Sequence, residues 1–222
     1  MSIAKTSLYG NDFIGAFSIS NEEITLIGGN PRGSGEKIIS DSLKTRIVEL
    51  LLNGSDLIGI YAVMNSRALI LPEMAYSSEV KRLKDLLPEL EIEILETSLN
   101  ALRNNILVND KIAIINPAYS KETSDKIGDM LGVEIISMSI GGFGTVGANN
   151  ILTNKGMVMN NRVSEEEEEF LKGLFGNISQ STANTGSLSI GLSTIANSSG
   201  IVAGSSTTGY ELSNIAEGLG LE

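Results

Sequence analysis

Short apolar runs come in pairs along this chain, and each pair is split by a turn led by asparagine. The five instances are Ile19-Ser20-Asn21-Glu22-Glu23-Ile24, Val63-Met64-Asn65-Ser66-Arg67-Ala68, Leu107-Val108-Asn109-Asp110-Lys111-Ile112, Leu152-Thr153-Asn154-Lys155-Gly156-Met157 and Ile195-Ala196-Asn197-Ser198-Ser199-Gly200. Successive asparagines are 44, 44, 45 and 43 residues apart. A fixed period of that size marks an array of one supersecondary unit. It displaces the one- or two-domain reading that a length of 222 residues would suggest.

The third unit shows the pattern best. Asn104 to Val108 reads as a short strand and Asn109-Asp110 as its turn, because both side chains bond their own main chain and tolerate left-handed backbone. Ile112-Ala113-Ile114-Ile115 is a continuous apolar strand of the kind covered on both faces. Pro117 ends it, having no N–H to give to a ladder. Ser120 is placed to cap a helix running through Ile127 and Met130 to Leu131, with Gly132 as its stop. Val133-Glu134-Ile135-Ile136 is a third strand. The other units follow. Ser78 precedes a helix over 79–87, stopped by Pro88, and Ile92 to Leu95 is a strand. Ser164 precedes a helix over 165–175, closed by Gly176, and Thr207 or Thr208 precedes one ending near Leu219. The first unit is less regular, with a helix expected over 36–52 and closed by Asn53-Gly54.

Each unit is therefore strand–strand–helix–strand and cannot bury its apolar faces alone. Five of them can, if they close into a ring with short strands around the axis and helices outside, and closure also removes free sheet edges. An open solenoid would want polar end caps. The fifth unit instead opens on the apolar, glycine-rich stretch 186–191. The expected fold is α/β, a five-fold pseudosymmetric propeller in one domain over 1–220. Leu221-Glu222 is left over as a candidate cloning remnant.

Composition narrows the chemistry. The chain is 41% hydrophobic with a mean hydropathy of +0.12, but only 5% aromatic and without tryptophan, so the core is aliphatic. It has no cysteine and no histidine. That excludes a thiolate nucleophile, a Ser-His pair and a zinc site built from nitrogen or sulfur ligands. The absence of disulfides fits a reducing compartment. Sixteen basic residues face 27 acidic ones, for a net charge of −11. Such a balance argues against wrapping bare nucleic acid and suits a basic protein partner, with solubility as the plainer alternative. Residues 1–10 hold no apolar leader. The most apolar stretch, 57–71, is interrupted by Asn65 and Arg67 and is too short to span a bilayer. A soluble, cytoplasmic protein without a membrane partner is expected.

Three motifs invite chemistry and do not sustain it. Gly142-Phe143-Gly144-Thr145-Val146-Gly147 has dinucleotide-loop spacing, but a strand follows where the pyrophosphate needs a helix. Gly28 to Lys37 lacks the Gly-Lys-Ser/Thr ending of a phosphate loop and reads as a connector into the first helix. Glu165 to Glu169 point around a helix rather than at one ion, and carboxylates in a first turn favour the helix dipole. No spacing supports a Ser-Lys dyad, and no cofactor or metal is expected.

A different constellation precedes each first strand. Gly15, Gly59 and Gly191 lie six residues before the anchoring asparagine and Gly147 lies seven before its own, while the third unit has Arg103 there, followed by Asn104 and Asn105. In a five-fold ring these positions meet around the axis. Glycines allow close approach of crowded strands; the functional alternative is a small, polar docking rim, kept open above all for Asn104 and Asn105.

Several stretches together resemble one family. The run from Leu99 to Pro117 (LNALRNNILVNDKIAIINP) resembles the middle repeat of archaeal translation initiation factor 6. So do Thr145-Val146-Gly147-Ala148-Asn149-Asn150, Thr153-Asn154-Lys155-Gly156, Thr182-Ala183-Asn184-Thr185-Gly186-Ser187 and Thr207-Thr208-Gly209-Tyr210-Glu211-Leu212. The likeness runs in register along the whole chain. It implies the pentein-type five-fold propeller and a monomer that binds the large (50S) ribosomal subunit, blocks joining of the small (30S) subunit and acts late in large-subunit maturation. The implied contacts are with a basic ribosomal protein beside the sarcin–ricin rRNA loop, and not with DNA. Release would need a maturation factor acting with a translocase-type GTPase. The candidate ribosome-contact residues, chosen for their placement around the axis, are Arg103, Asn104, Asn105, Gly15, Gly59, Gly147 and Gly191. Arg103 departs from the small residue expected there, and Asn160-Asn161 depart from a His-Pro-like strand end. The C-terminal tail of eukaryotic relatives is expected to be absent. Other proteins of this fold type are guanidine-modifying enzymes, whose hydrolases need the Cys and His lacking here. A passive scaffold or a small-ligand binder using the axial cavity is the remaining alternative.

Overall fold

The computed structural model describes residues 2–31 and 33–221. Among them, fifteen strands form five separate three-stranded sheets. In each sheet a short first strand pairs antiparallel with a middle strand, and the middle strand pairs parallel with a third. In the first unit these are Ser18–Ser20, Ile24–Gly28 and Arg46–Leu50. A helix bridges the parallel pair, as such crossovers require. The bridging helices are Gly35–Leu43, Ser77–Leu86, Lys121–Leu131 and Glu165–Phe175. Most of the helix caps placed from the sequence are found, but Ser78 is not one: it lies inside Ser77–Leu86, whose cap position is Tyr76. Ser120, Ser164 and Thr208 each accept a backbone N–H three residues on, and Gly132 takes the left-handed φ of 67° that ends its helix.

The fifth sheet differs in one strand. Thr194–Ala196 and Gly200–Gly204 come from the fifth unit, but the third strand is Ser2–Thr6 at the other end of the chain, paired parallel from Ser2 opposite Gly200 to Thr6 opposite Gly204. The ring is thus clasped without a covalent link. Leu221, set aside in the sequence as a remnant, is buried in the aliphatic cluster of the fifth unit and its N–H bonds Ala216 O at 2.9 Å. Glu222, and Arg32 of the 28–37 connector, lie outside the described residues.

The core is divided into five clusters, each lying between neighbouring units. Strand alternation makes this partition. Ala68 and Ile70 of one middle strand point into the cluster shared with the third unit, while Leu69 and Leu71 point into the cluster shared with the first. Ile114 and its neighbours Ala113 and Ile115 divide in the same way. This is why the middle strands are continuously apolar: both faces are covered by adjacent units.

Two expectations need correction. The first helix spans Gly35–Leu43 and not 36–52. Lys44 closes it in the left-handed conformation, and Arg46–Leu50 is the third strand of its sheet, alternating in burial as it pairs with Ile24–Gly28. Asn53-Gly54 is a hairpin tip, with φ of 51° and 72°. Second, the third unit's first strand is Ile106–Val108; Leu102–Asn105 before it is a single helical turn.

Removing residues 2–6 is expected to expose the edge of Gly200–Gly204 and cost about 3 kcal/mol, since several ladder bonds are lost at roughly 1 kcal/mol net each. Urea unfolding measures the loss, and sedimentation velocity should show concentration-dependent association through the bare edge. Unchanged stability of the monomer would contradict the clasp.

Candidate functional site

Every unit enters the ring through one helical turn: Ile14–Phe17, Ile58–Tyr61, Leu102–Asn105, Val146–Asn149 and Ile190–Ser193, spaced by a uniform 44 residues. Their second positions are Gly15, Gly59, Arg103, Gly147 and Gly191. The five meet around the axis. A Cβ on Gly15 would strike the Gly191 carbonyl oxygen; on Gly59, that of Gly15; on Gly147, that of Arg103; on Gly191, that of Gly147. Each glycine faces the unit before it, and the Gly15 contact to Gly191 of the fifth unit closes the ring. Backbone meets backbone here, in Cα–H···O contacts that only glycine permits at this distance. The four glycines serve packing.

Arg103 breaks the pattern. Its side chain runs across the axis, where Nη1 donates to Gly191 O at 3.0 Å and Gly147 O at 3.3 Å. Burial pushes its pKa down to about 10, which still leaves a full positive charge at neutral pH. Asn105 is buried, with Nδ2 donating to Ala101 O at 2.9 Å and Oδ1 accepting from Asn116 Nδ2 at 2.7 Å. It braces its own helical turn. Asn104 is different. It is half-buried, and its Oδ1 is shielded from solvent without a hydrogen-bond partner among the described residues. Such an acceptor is costly unless something donates to it.

Turns crown this pole. Those at Tyr9-Gly10, Asn53-Gly54 and Gly141-Gly142 have two left-handed residues each. In three units the glutamate at the third position of the outer helix bonds its own cap N–H and also reaches the turn. Glu79 accepts from Asn53 N at 2.9 Å, Glu167 from Gly141 N at 3.2 Å, and Glu211 from Gly186 N at 2.8 Å and Thr185 N at 3.2 Å. This clamp was not among the expectations drawn from the residues, although a glutamate three residues after the cap is a readable signal. The third unit has Thr123 at that place and no clamp; its loop over 97–101 is held by Tyr119 Oη donating to Leu99 O at 3.3 Å. Burial raises the Tyr119 pKa.

The opposite pole belongs to the asparagines. Asn197 Nδ2 donates to Asn21 O, Asn21 Nδ2 to Asn65 O, and Asn109 Nδ2 to Thr153 O, at 3.0, 3.0 and 3.1 Å. Asn65 Nδ2 reaches Leu131 O at 3.0 Å and Asn109 O at 3.5 Å. Each Oδ1 meanwhile accepts from the N–H groups of its own turn. One unit is stapled to the next. The fourth anchor is Thr153 and not Asn154, which corrects the sequence alignment: Thr153 Oγ1 accepts from Lys155 N in the place of the asparagine oxygen. The anchors then fall at 21, 65, 109, 153 and 197, in step with the glycines. A hydroxyl has no amide to pass on, so the staple from the fourth unit to the fifth is missing. Asn154 sits one place further. Its Nδ2 bridges the axis, to Glu22 Oε1 at 3.0 Å and Asp110 Oδ2 at 2.6 Å. Glu22 also accepts from Ser198, and Asp110 from Ser66.

Between the poles lies a cavity of about 50 Å³ walled by Ile19, Val63, Leu107, Leu152 and Ile195 and reached by Arg103. Among the described residues no cluster of three or more acidic side chains is arranged to hold a metal ion, and no helix is long and apolar enough to cross a membrane. The arrangement offers docking surfaces and a narrow channel with polar ends.

A family model described as the eIF-6 family matches residues 3–218. No curated protein matches the chain. Among solved structures, the N-terminal domain of an ArgZ variant covalently bound to a reaction intermediate is 14% identical over 76% of this chain and 67% of its own, with a TM-score of 0.47. Agmatine deiminase of C. jejuni is 14% identical over 72% of this chain and 61% of its own, with a TM-score of 0.44. This chain therefore spans less than two thirds of the deiminase.

Gly59→Ala is expected to cost about 3 kcal/mol, because the new methyl meets the backbone carbonyls of Gly15 and Ser18. Gly173→Ala, in a helix interior with open space around it, should stabilise by roughly 0.5–1 kcal/mol. Denaturant unfolding of both variants tests the assignment of packing to the pole glycines; equal effects would refute it.

Burial alone would raise the Glu211 pKa, but hydrogen bonds from Thr208, Thr182 and Gly186 together hold it below the usual carboxylate value. A depressed folded pKa contributes stability above the unfolded value of about 4.3, and that stability is lost as pH falls through the folded value. Wild-type protein should therefore lose more stability between pH 6 and pH 3 than Glu211→Gln, in paired urea titrations.

Proposed function

Since the chain belongs to the eIF-6 family, and its role is that of a translation initiation factor, we propose that it binds the large ribosomal subunit and keeps the small subunit from joining it. The family match over residues 3–218 carries this reading. The net charge of −11 supports a basic ribosomal protein as the main contact, beside the sarcin–ricin rRNA loop. An acidic protein gains little from bare phosphate. Action in late large-subunit maturation, and release by a maturation factor with a translocase-type GTPase, belong to the same reading. So do a cytoplasmic location, a monomeric state and the absence of catalysis. The chain has neither the cysteine nor the histidine that guanidine-modifying hydrolases of this fold type use.

Of the seven candidate contact residues around the axis, Asn104 is the best supported. Its shielded, partnerless Oδ1 sits at the glycine pole, next to a loop without a glutamate clamp. A donor from the partner would relieve that cost on binding. Arg103, Asn105 and the glycines are engaged in holding the ring.

Sedimentation with separated subunits tests the proposal. The protein should travel with 50S particles and block their joining to 30S particles at joining-permissive magnesium. Comigration without inhibition, or no comigration, would defeat it. Asn104→Ala should weaken 50S binding about tenfold, equivalent to roughly 1.4 kcal/mol, with its melting temperature unchanged or raised. Asn105→Ala should lower the melting temperature.

A further inference from the structure

We propose that the axial cavity is a binding site for one small, singly charged inorganic anion of the halide type, held by the Arg103 guanidinium. This goes beyond ribosome binding and does not depend on it. Arg103 occupies a position that is glycine in the other four units, so nothing in the repeat calls for a cation there. Only its Nη1 is used by the protein, on the carbonyls of Gly147 and Gly191. Nε and Nη2 make no hydrogen bond among the described residues. No carboxylate lines the same cavity; apart from Ser20, its walls are aliphatic side chains and the glycine backbone.

The Arg103 guanidinium is half-buried, and a charge partly withdrawn from water gains from a counter-charge or a full set of hydrogen bonds. Glu22 and Asp110 line the mouth at the asparagine pole. Both are already engaged, by Asn154 together with Ser198 or Ser66. Arg103 therefore faces the cavity with charge and donors to spare. Size and wall chemistry choose the ligand class. About 50 Å³ holds one halide-sized ion, and aliphatic walls offer no donors to replace the hydration of sulfate or phosphate. The carboxylates at the asparagine pole oppose entry from that side.

The test is to refold the protein in sodium bromide, crystallise it and collect anomalous data at the bromine edge. A bromide peak in the cavity, in contact with Nε or Nη2 of Arg103, is expected, and it should be absent from Arg103→Gly. That variant restores the residue of the other units and should fold. In solution, replacing a bulky organic anion with chloride at matched ionic strength should raise the folding equilibrium constant of wild-type protein by about tenfold, as for a ligand near ten times its Kd, and leave Arg103→Gly unmoved. Cavity density without anomalous signal would overturn the proposal, because it means water alone. A peak present equally in the variant, or a halide response identical in both proteins, would overturn it too.

Discussion

Five units can close around an axis only if their inner ends take up almost no space. In this protein those ends are single helical turns whose second residues touch backbone to backbone, with Gly15, Gly59, Gly147 and Gly191 each pressed on a neighbouring carbonyl oxygen. The rest of the architecture follows from that crowding. First strands are only two or three residues long because they start at the narrow end of a wedge. Middle strands are covered on both sides by adjacent units, so they are apolar throughout and distribute alternate residues to two different clusters. No unit has a core of its own. The ring is consequently stable as a whole, and the strand Ser2–Thr6 matters far beyond its five residues because it supplies the last edge.

The two poles solve different problems with different groups. At the asparagine pole, side-chain amides satisfy their own turns with the oxygen and tie the next unit with the nitrogen, which suits a residue carrying both an acceptor and two donors. Where Thr153 replaces the amide, one staple is lost, and Asn154 compensates from the next position by bridging two carboxylates across the axis. At the glycine pole, glutamates at the starts of three outer helices reach the turns. The third unit departs from this scheme at several points. It has Arg103 on the axis, Asn104 with a partnerless oxygen, and a loop tied by Tyr119 in place of a carboxylate. Symmetry accounts for what the units share. The departures are concentrated where one unit differs from the other four, and such positions are where a repeat protein can acquire a recognition surface without endangering its fold.

Much of this was legible in the residues. The period of about 44, the turn-leading asparagines, the doubly covered strands and the caps at Ser120, Ser164 and Gly132 all express local rules, so the linear chain already carries them. The family likeness was legible in the same stretches. Legibility failed where a local signal was ambiguous. Arg46 to Leu50 continues an apolar pattern after a helix, and only its pairing with Ile24–Gly28 makes it a strand. Asn154 looks like an anchor because it is an asparagine; the recurring Ile-Gly and Val-Gly pairs at a uniform step would have set the register at Thr153.

What the sequence determined by itself is the unit: its length, its order of elements, its aliphatic core and the absence of cysteine and histidine chemistry. These depend on neighbours close in the chain. What only the tertiary structure decided is how units meet. That the strand at residues 2–6 completes the fifth sheet, that Arg103 lies across the axis with two of its nitrogens unused, and that Asn104 is left without a donor while Asn105 is satisfied are outcomes of contacts up to 198 residues apart in sequence. Side-chain type records the capacity to bond; the partner is set by which distant backbone the closed ring brings within about 3 Å.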